Sequence, residues 1–264
     1  MGIYNCADTL DEAIESVLNQ TYKNWELVMC DDCSTDNTYN IAKRYSDKYD
    51  NIVLLKNEKN MRLAYSLNRC LEVSRGKYIA RMDADDENMP ERLEKQVEFL
   101  NEHEEYQVVG SSMMVFDDIG IRGIRAVSEY PMNKVWITTP FAHPTIMMRK
   151  SAYDELNGYN VSKDTMRAED IELWFRFKNR GFNGYNIQEP LYKYRESIND
   201  YKKRTLKAAI GTAKVYIKGY KLLGYSKVKY IYVLKPVISA CIPNSLMYMY
   251  QNIRIKRKKS SANI

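Results

Sequence analysis

The sequence predicts an α/β fold around a largely parallel sheet, followed by a basic helical tail. Three observations carry this reading. Short apolar runs alternate with segments of helical spacing from Thr9 to about Leu100, the pattern of a β-α-β chain. Two acidic clusters, Asp31-Asp32 and Asp83-Ala-Asp-Asp86, each follow an apolar run, at the carboxyl edge where α/β sheets bind ligands. Charge is also divided along the chain. All 34 acidic residues lie at or before Asp200, while 15 of the 40 Lys and Arg lie after it, so residues 1–200 carry −9 and 201–264 carry +15. An acidic body with a basic tail fits a domain held against something anionic.

The elements follow in order. Before Asn5 only four residues, Met1 to Tyr4, remain for an opening strand, so that strand is expected to be truncated or very short. Leu10, Ile14, Val17 and Leu18 keep helical spacing, and Thr9-Leu-Asp-Glu12 has the form of a capping box. Trp25 to Cys30 reads as a buried strand, and Asp36 could cap a helix to about Tyr45. A strand at 52–55, a helix at 63–73 and a strand at 77–82 come next, and Pro90 suits the first turn of a helix to about Leu100. Further on, strands are expected at 108–116, 145–148 and 191–194, and a helix at 169–180. In the tail, Leu206, Ile210, Ala213, Ile217 and Tyr220 share one helical face.

At 264 residues, 45% hydrophobic and 28% charged, the composition is that of an ordinary globular chain. Five scattered cysteines exclude a disulfide framework and point to a reducing cytosol. Cys30 and Cys33 have no second pair or histidine cluster to complete a zinc site. No apolar run is long enough to span a bilayer, and none reads as a secretory leader.

Chemistry concentrates in the acids. Asp83 and Asp85 at the end of a strand can share a hard divalent cation with a diphosphate, and helix capping ahead of Pro90 is the competing role. A carboxylate at Asp32 can accept from a base imide or a ribose hydroxyl, whereas Ser34 and Asp36 could equally serve a turn. Glu169-Asp170 heads an apolar-faced helix. There an anion is favoured by the dipole and could either cap the helix or take a proton from an attacking hydroxyl. His143 is open between structural and site roles, and Arg195 could lie near phosphates.

In combination these segments resemble the family 2 glycosyltransferases over residues 1–200. The matching stretches are Ile3-Tyr4-Asn5, Ala13 to Tyr22, Glu26 to Asp36, Gly76 to Asp86, His143-Pro-Thr145 and Glu169-Asp170-x-x-Leu173-Trp174. The resemblance implies a GT-A fold and inverting transfer of one sugar from a nucleotide-sugar, expected to be a UDP-sugar, with Mn²⁺ or Mg²⁺. By position, Tyr4, Asn5, Asp31, Asp32 and Asp83 would hold the nucleotide. Asp83 and Asp85 would hold the metal, with Asp85 the direct ligand, and Asp170 would be the base. Glu169, His143 and Trp174 would lie near the sugars. Arg62 stands where relatives often have Gly. The processive Q-x-x-R-W pattern is absent, so one sugar per acceptor is expected.

Residues 201–264 are expected to form a helical extension that associates with a membrane. From Ser245, Leu246, Met249, Tyr250 and Ile253 fall on one face, followed by Arg254 and Lys256 to Lys259, as in a helix lying on anionic headgroups. The expected setting is assembly of a cell-surface polysaccharide, either capsule, exopolysaccharide or O-antigen, on a lipid-linked glycan at the inner face of the cell membrane, with no nucleic-acid partner. A nucleotidyltransferase acting on a sugar phosphate, or an inactive truncated scaffold, are the alternatives.

Overall fold

The computed structural model describes residues 1–261. Three parallel strands, β1 (Gly2–Ile3), β2 (Leu27–Asp31) and β3 (Ile52–Lys56), form a first sheet in that order. β2 is buried at every residue, as a central parallel strand must be. The opening strand is indeed short. Gly2 and Ile3 register against Cys30 and Asp31, and the Met1 carbonyl accepts the Cys30 N–H at 3.0 Å. Helices α1 (Leu10–Leu18), α2 (Thr38–Lys48) and α3 (Leu63–Val73) alternate with these strands, and α3 has the bounds its spacing predicts. Thr9 precedes α1 without capping it; its hydroxyl donates instead to the Ala84 carbonyl at 2.9 Å, in the acidic loop.

The second sheet departs from the parallel expectation. It comprises β4 (Tyr78–Ala80), β5 (Glu87–Asn88), β6 (Val108–Asp117), β7 (Gly120–Arg125), β8 (Met147–Arg149) and β9 (Gly184–Arg195). Their order is β4-β8-β6-β9-β5, with β7 on β6, and only β6 and β9 pair parallel. A parallel partner needs a crossover, usually helical. The chain instead turns straight from β6 into β7, which can only pair antiparallel. β9 also runs well upstream of the predicted 191–194. Its register against β6 shifts beside Pro190, a residue that cannot donate to the ladder and so hid the strand. Helices α4 (Arg92–Glu102), α5 (Lys150–Glu155) and α6 (Glu169–Asn179) complete the body.

The tail folds back onto that body as α7 (Leu206–Leu222), α8 (Lys235–Cys241) and α9 (Asn244–Ser261). The buried face of α7 overlaps the predicted one at Tyr220, with Ala213 and Ile217 packed half-buried beside it, and is otherwise rotated from it. Ala209, Val215, Tyr216, Gly219 and Tyr220 are buried, whereas Leu206 and Ile210 are 54% and 46% exposed. Rings decide this: Phe175 of α6 meets Tyr216 and Tyr220 edge-on at 5.6 and 5.9 Å, over Gly219. On α9, Ile255 is buried against Gly123 of β7, and Tyr248 meets Tyr201 and the Arg122 guanidinium.

Candidate active site

A cleft of about 850 Å³ opens beyond the carboxyl ends of β1 and β2, with Tyr4, Asp32, Arg62, Thr165, Arg167 and Glu169 in its wall. Asp32 is buried and fully engaged. One carboxylate oxygen accepts from the Asn57 side chain and the Met61 N–H, both at 2.7 Å, and the other from the Arg62 N–H at 2.8 Å. This explains how Arg62 stands in place of glycine at φ 75°: the carboxylate fixes both neighbouring amides and offsets a backbone strained by roughly 1–2 kcal/mol. Asn5 (φ 47°) and Asp31 are not wall residues. Asn5 accepts the Thr35 N–H at 2.8 Å, and the buried Asp31 accepts the Ser34 N–H at 3.3 Å, leaving its second oxygen without a protein partner. Both shape the loop behind Tyr4. Asp36 likewise serves the fold, accepting from Thr38 at 3.0 Å and from Ala7 at 3.1 Å.

The acidic loop lines a second chamber of about 580 Å³, roofed by α7 and α8. Carboxylate oxygens of Asp83, Asp85 and Asp86 all lie within 4.8 Å of one another. Asp83 pairs with the buried Arg81 at 2.5 Å, and its N–H donates to the Tyr192 hydroxyl at 3.1 Å. Asp86 is buried and accepts the Arg195 N–H at 2.8 Å, while its other oxygen has no protein partner. Burial, then the charges of Asp83 and Asp85, push its carboxyl well above the usual range. Three carboxyls this close, one with an orphaned oxygen, fit a hard divalent cation. Beneath them Arg92, fully buried, donates to Asn88, Gln96 and the carbonyls of Arg81 and Ile146. No acid faces it in these bonds; neutral oxygens satisfy the guanidinium and lock the loop's base.

Glu169 and Asp170 open the first turn of α6, both half-buried. Glu169 lies in the cleft wall, and its carboxyl rises to about 7 through burial and then the Asp170 charge. Asp170, lining neither cavity, is also raised by burial. His143 is not at either wall. It is buried, shares a 2.8 Å hydrogen bond with the Tyr159 hydroxyl, and is held neutral by burial and the Arg81 charge. Trp174, expected near the sugars, is corrected to a core residue: it is 0% exposed and packs on Phe141 and Phe177 at 4.8 and 5.6 Å. Helical phase explains the error, since Trp174 follows Leu173 onto the inner face of α6.

Sequence reasoning missed Arg81, Arg92 and Arg167. Arg81 and Arg167 each stand two residues before an acid already singled out, Asp83 and Glu169, and so carried a readable signal; Arg92 is recognised only once folding sets its guanidinium on the Arg81 and Ile146 carbonyls.

The family model described as Glycosyl transferase family 2 matches residues 1–157. The protein EpsE of Bacillus subtilis (strain 168) is 50% identical over 98% of this chain and 94% of its own length. The UDP-Glc:alpha-D-GlcNAc-diphosphoundecaprenol beta-1,3-glucosyltransferase WfaP of Escherichia coli is 30% identical over 70% of this chain and 71% of its own. Among solved structures, S. aureus TarS 1–349 in complex with UDP shares the fold, with a TM-score of 0.63 at 18% identity over 91% of this chain and 79% of that one. So does the mannosyltransferase PcManGT of Pyrobaculum calidifontis in complex with GDP-Man and Mn²⁺, with a TM-score of 0.61 at 16% identity over 95% and 77%. These findings decide against the nucleotidyltransferase alternative. The chain belongs to glycosyl transferase family 2 and is a glycosyltransferase enzyme of the GT-A fold.

Proposed function

We propose that this enzyme moves one sugar, with inversion, from a nucleotide-sugar to a lipid-linked glycan during assembly of a cell-surface polysaccharide. The observation that carries the reading is that the cleft of Tyr4 and Asp32 and the chamber of the Asp83 and Asp85 carboxylates share Leu63 and Arg167 in their walls. Tyr4 and Asp32 would face the nucleoside, with Asn5 and Asp31 acting through the loop they hold. Asp83 and Asp85 would hold Mn²⁺ or Mg²⁺, which offsets charge growing on a departing diphosphate. The acceptor oxygen bonds to the anomeric carbon, the bond from that carbon to the diphosphate breaks with its electron pair, and the acceptor proton passes to Asp170. Glu169 is a second candidate for the base, because it stands in the cleft wall whereas Asp170 lines neither cavity, and the other wall carboxylate, Asp32, is engaged by Asn57 and the Met61 and Arg62 N–H groups.

UDP is favoured by WfaP, a UDP-Glc-dependent glucosyltransferase, and by TarS in complex with UDP, and the lipid-linked acceptor by the diphosphoundecaprenol acceptor of WfaP. Calorimetric titration with UDP, with and without Mn²⁺, tests the donor site. Metal-dependent binding that Asp85→Ala abolishes is the expected result; equal binding by the variant would remove the metal assignment.

The same reading places the enzyme on the inner face of the cell membrane. No helix among the described residues is long and apolar enough to cross a bilayer. Leu246, Met249, Tyr250 and Ile253 are all exposed, as the interfacial-helix expectation requires. Exposed apolar residues continue upstream through Val228, Ile231, Leu234, Ile238 and Ile242. The cations expected at Arg254 and 256–259 lie outside the residues whose side chains are described.

A further inference from the structure

Among the described residues, Leu63 and Arg167 line both the cleft of Tyr4 and Asp32 and the chamber that holds Asp83 and Asp85. A nucleotide-sugar with its nucleoside against Tyr4 and Asp32 and its metal-bound end at the acidic pair must cross from one space to the other where they meet. The part of such a molecule between those ends is its diphosphate. At that crossing the Leu63 side chain offers only hydrocarbon, and among the described residues Arg167 is the cation common to both walls.

Arg167 is exposed and has no hydrogen-bond or ion-pair partner among the described residues. This is unusual for its surroundings, since the two walls also carry Asp32, Asp83, Asp85 and Glu169. Arg81, lining the same chamber, is by contrast already bound to Asp83. Arg195 is likewise taken, by Glu12, Asp118 and the Asp85 carbonyl. Arg167 is also held at φ 63°, a left-handed backbone that an L-residue adopts only when its surroundings impose it. The fold thus keeps one guanidinium uncommitted between two cavities, and a planar fork of donors matches phosphate oxygens two at a time.

We propose that Arg167 grips the donor's diphosphate where it crosses between the cavities, and stays on it as the leaving group. Resting on the nucleotide-sugar reading above, the inference adds a residue that no matching stretch of the sequence marks. When the bond from the anomeric carbon to the diphosphate breaks, the electron pair stays on the diphosphate oxygen. A guanidinium in the same chamber as Asp83 and Asp85 meets the added negative charge.

Calorimetry with Mn²⁺, comparing UDP, GDP and uridine on wild type, Arg167→Gly and Arg167→Lys, tests this. Glycine accepts the left-handed backbone, so Arg167→Gly removes the side chain without adding strain. The expected result is a loss of about tenfold in affinity for the diphosphate that wild type binds, an unchanged affinity for uridine, and partial retention in Arg167→Lys. Diphosphate affinity unchanged in Arg167→Gly overturns the role of Arg167 alone. An equal loss for uridine makes Arg167 a wall residue and also overturns it. Binding of neither nucleotide by wild type would overturn the donor reading and this inference with it.

Discussion

The acidic loop and the C-terminal helices both border the second chamber, yet they are held by opposite means. Residues 81–86 are tied by hydrogen bonds with Thr9, Arg92, Tyr192 and Arg195, of which all but Arg92 are remote in sequence. The helices attach mainly through rings, Phe175 against Tyr216 and Tyr220 and Tyr248 against Tyr201, and leave their outer apolar residues exposed. Polar bonds with fixed directions suit a loop whose carboxylates, in the proposed reading, would converge on one ion. Ring contacts tolerate more sliding and suit a roof that must also face outward. The difference teaches that chemistry and placement are built from separate interactions, so each can be broken without the other.

The largest expected effect falls on chemistry. Asp170→Asn should lower transfer by about 10²–10⁴-fold while leaving UDP binding intact, the range for loss of a general base. Single-turnover rates beside binding isotherms would show it. A rate near wild type, paired with loss in Glu169→Gln, would move the role to the residue in the cleft wall.

Next comes the attachment of the roof. A Cβ at Gly219 would lie 2.2 Å from the Phe175 ring, so Gly219→Ala should destabilise the protein by about 1–3 kcal/mol. The midpoint of urea unfolding reads this directly, and an unchanged midpoint would mean that α7 shifts freely on α6. Smaller still is the effect of the outer face. Leu246→Ser with Met249→Ser should leave unfolding unchanged and weaken binding to anionic vesicles by roughly tenfold. Retained binding to those vesicles would sink the membrane-facing assignment.

The gentlest probe is pH. Glu169 has its carboxyl raised to about 7 from an ordinary 4.5. Between those values the folded protein holds more protons than the unfolded chain, so this group's contribution to stability falls as pH rises through that window. Unfolding measured across it should show a steeper decline for wild type than for Glu169→Gln. Parallel profiles would mean that the carboxyl is not buried enough to titrate late.

Much of the body was legible because its signals are local. The spacing of Leu63 to Val73 marks a helix and the apolar run before Asp31 marks a strand, whichever way the chain later packs. Asp83 and Asp85 were legible for the same reason, as acids at the end of such a run. Long-range partners were not. Thr9 satisfies every local rule for a cap, yet it bonds to Ala84, and Trp174 was assigned by its neighbours in sequence although its helical phase turns it into the core.

By itself, then, the sequence determined the alternation of elements, the acidic positions at the sheet edge and the basic, acid-free tail, all of which depend on neighbours a few residues apart. Only the tertiary structure decided that β6 and β9 pair parallel within a mixed sheet, that α7 turns Tyr216 inward and Leu206 and Ile210 outward, and that Arg167 stands between two cavities. Those outcomes depend on contacts between residues far apart in the chain, where burial of rings and satisfaction of charges outweigh the local pattern.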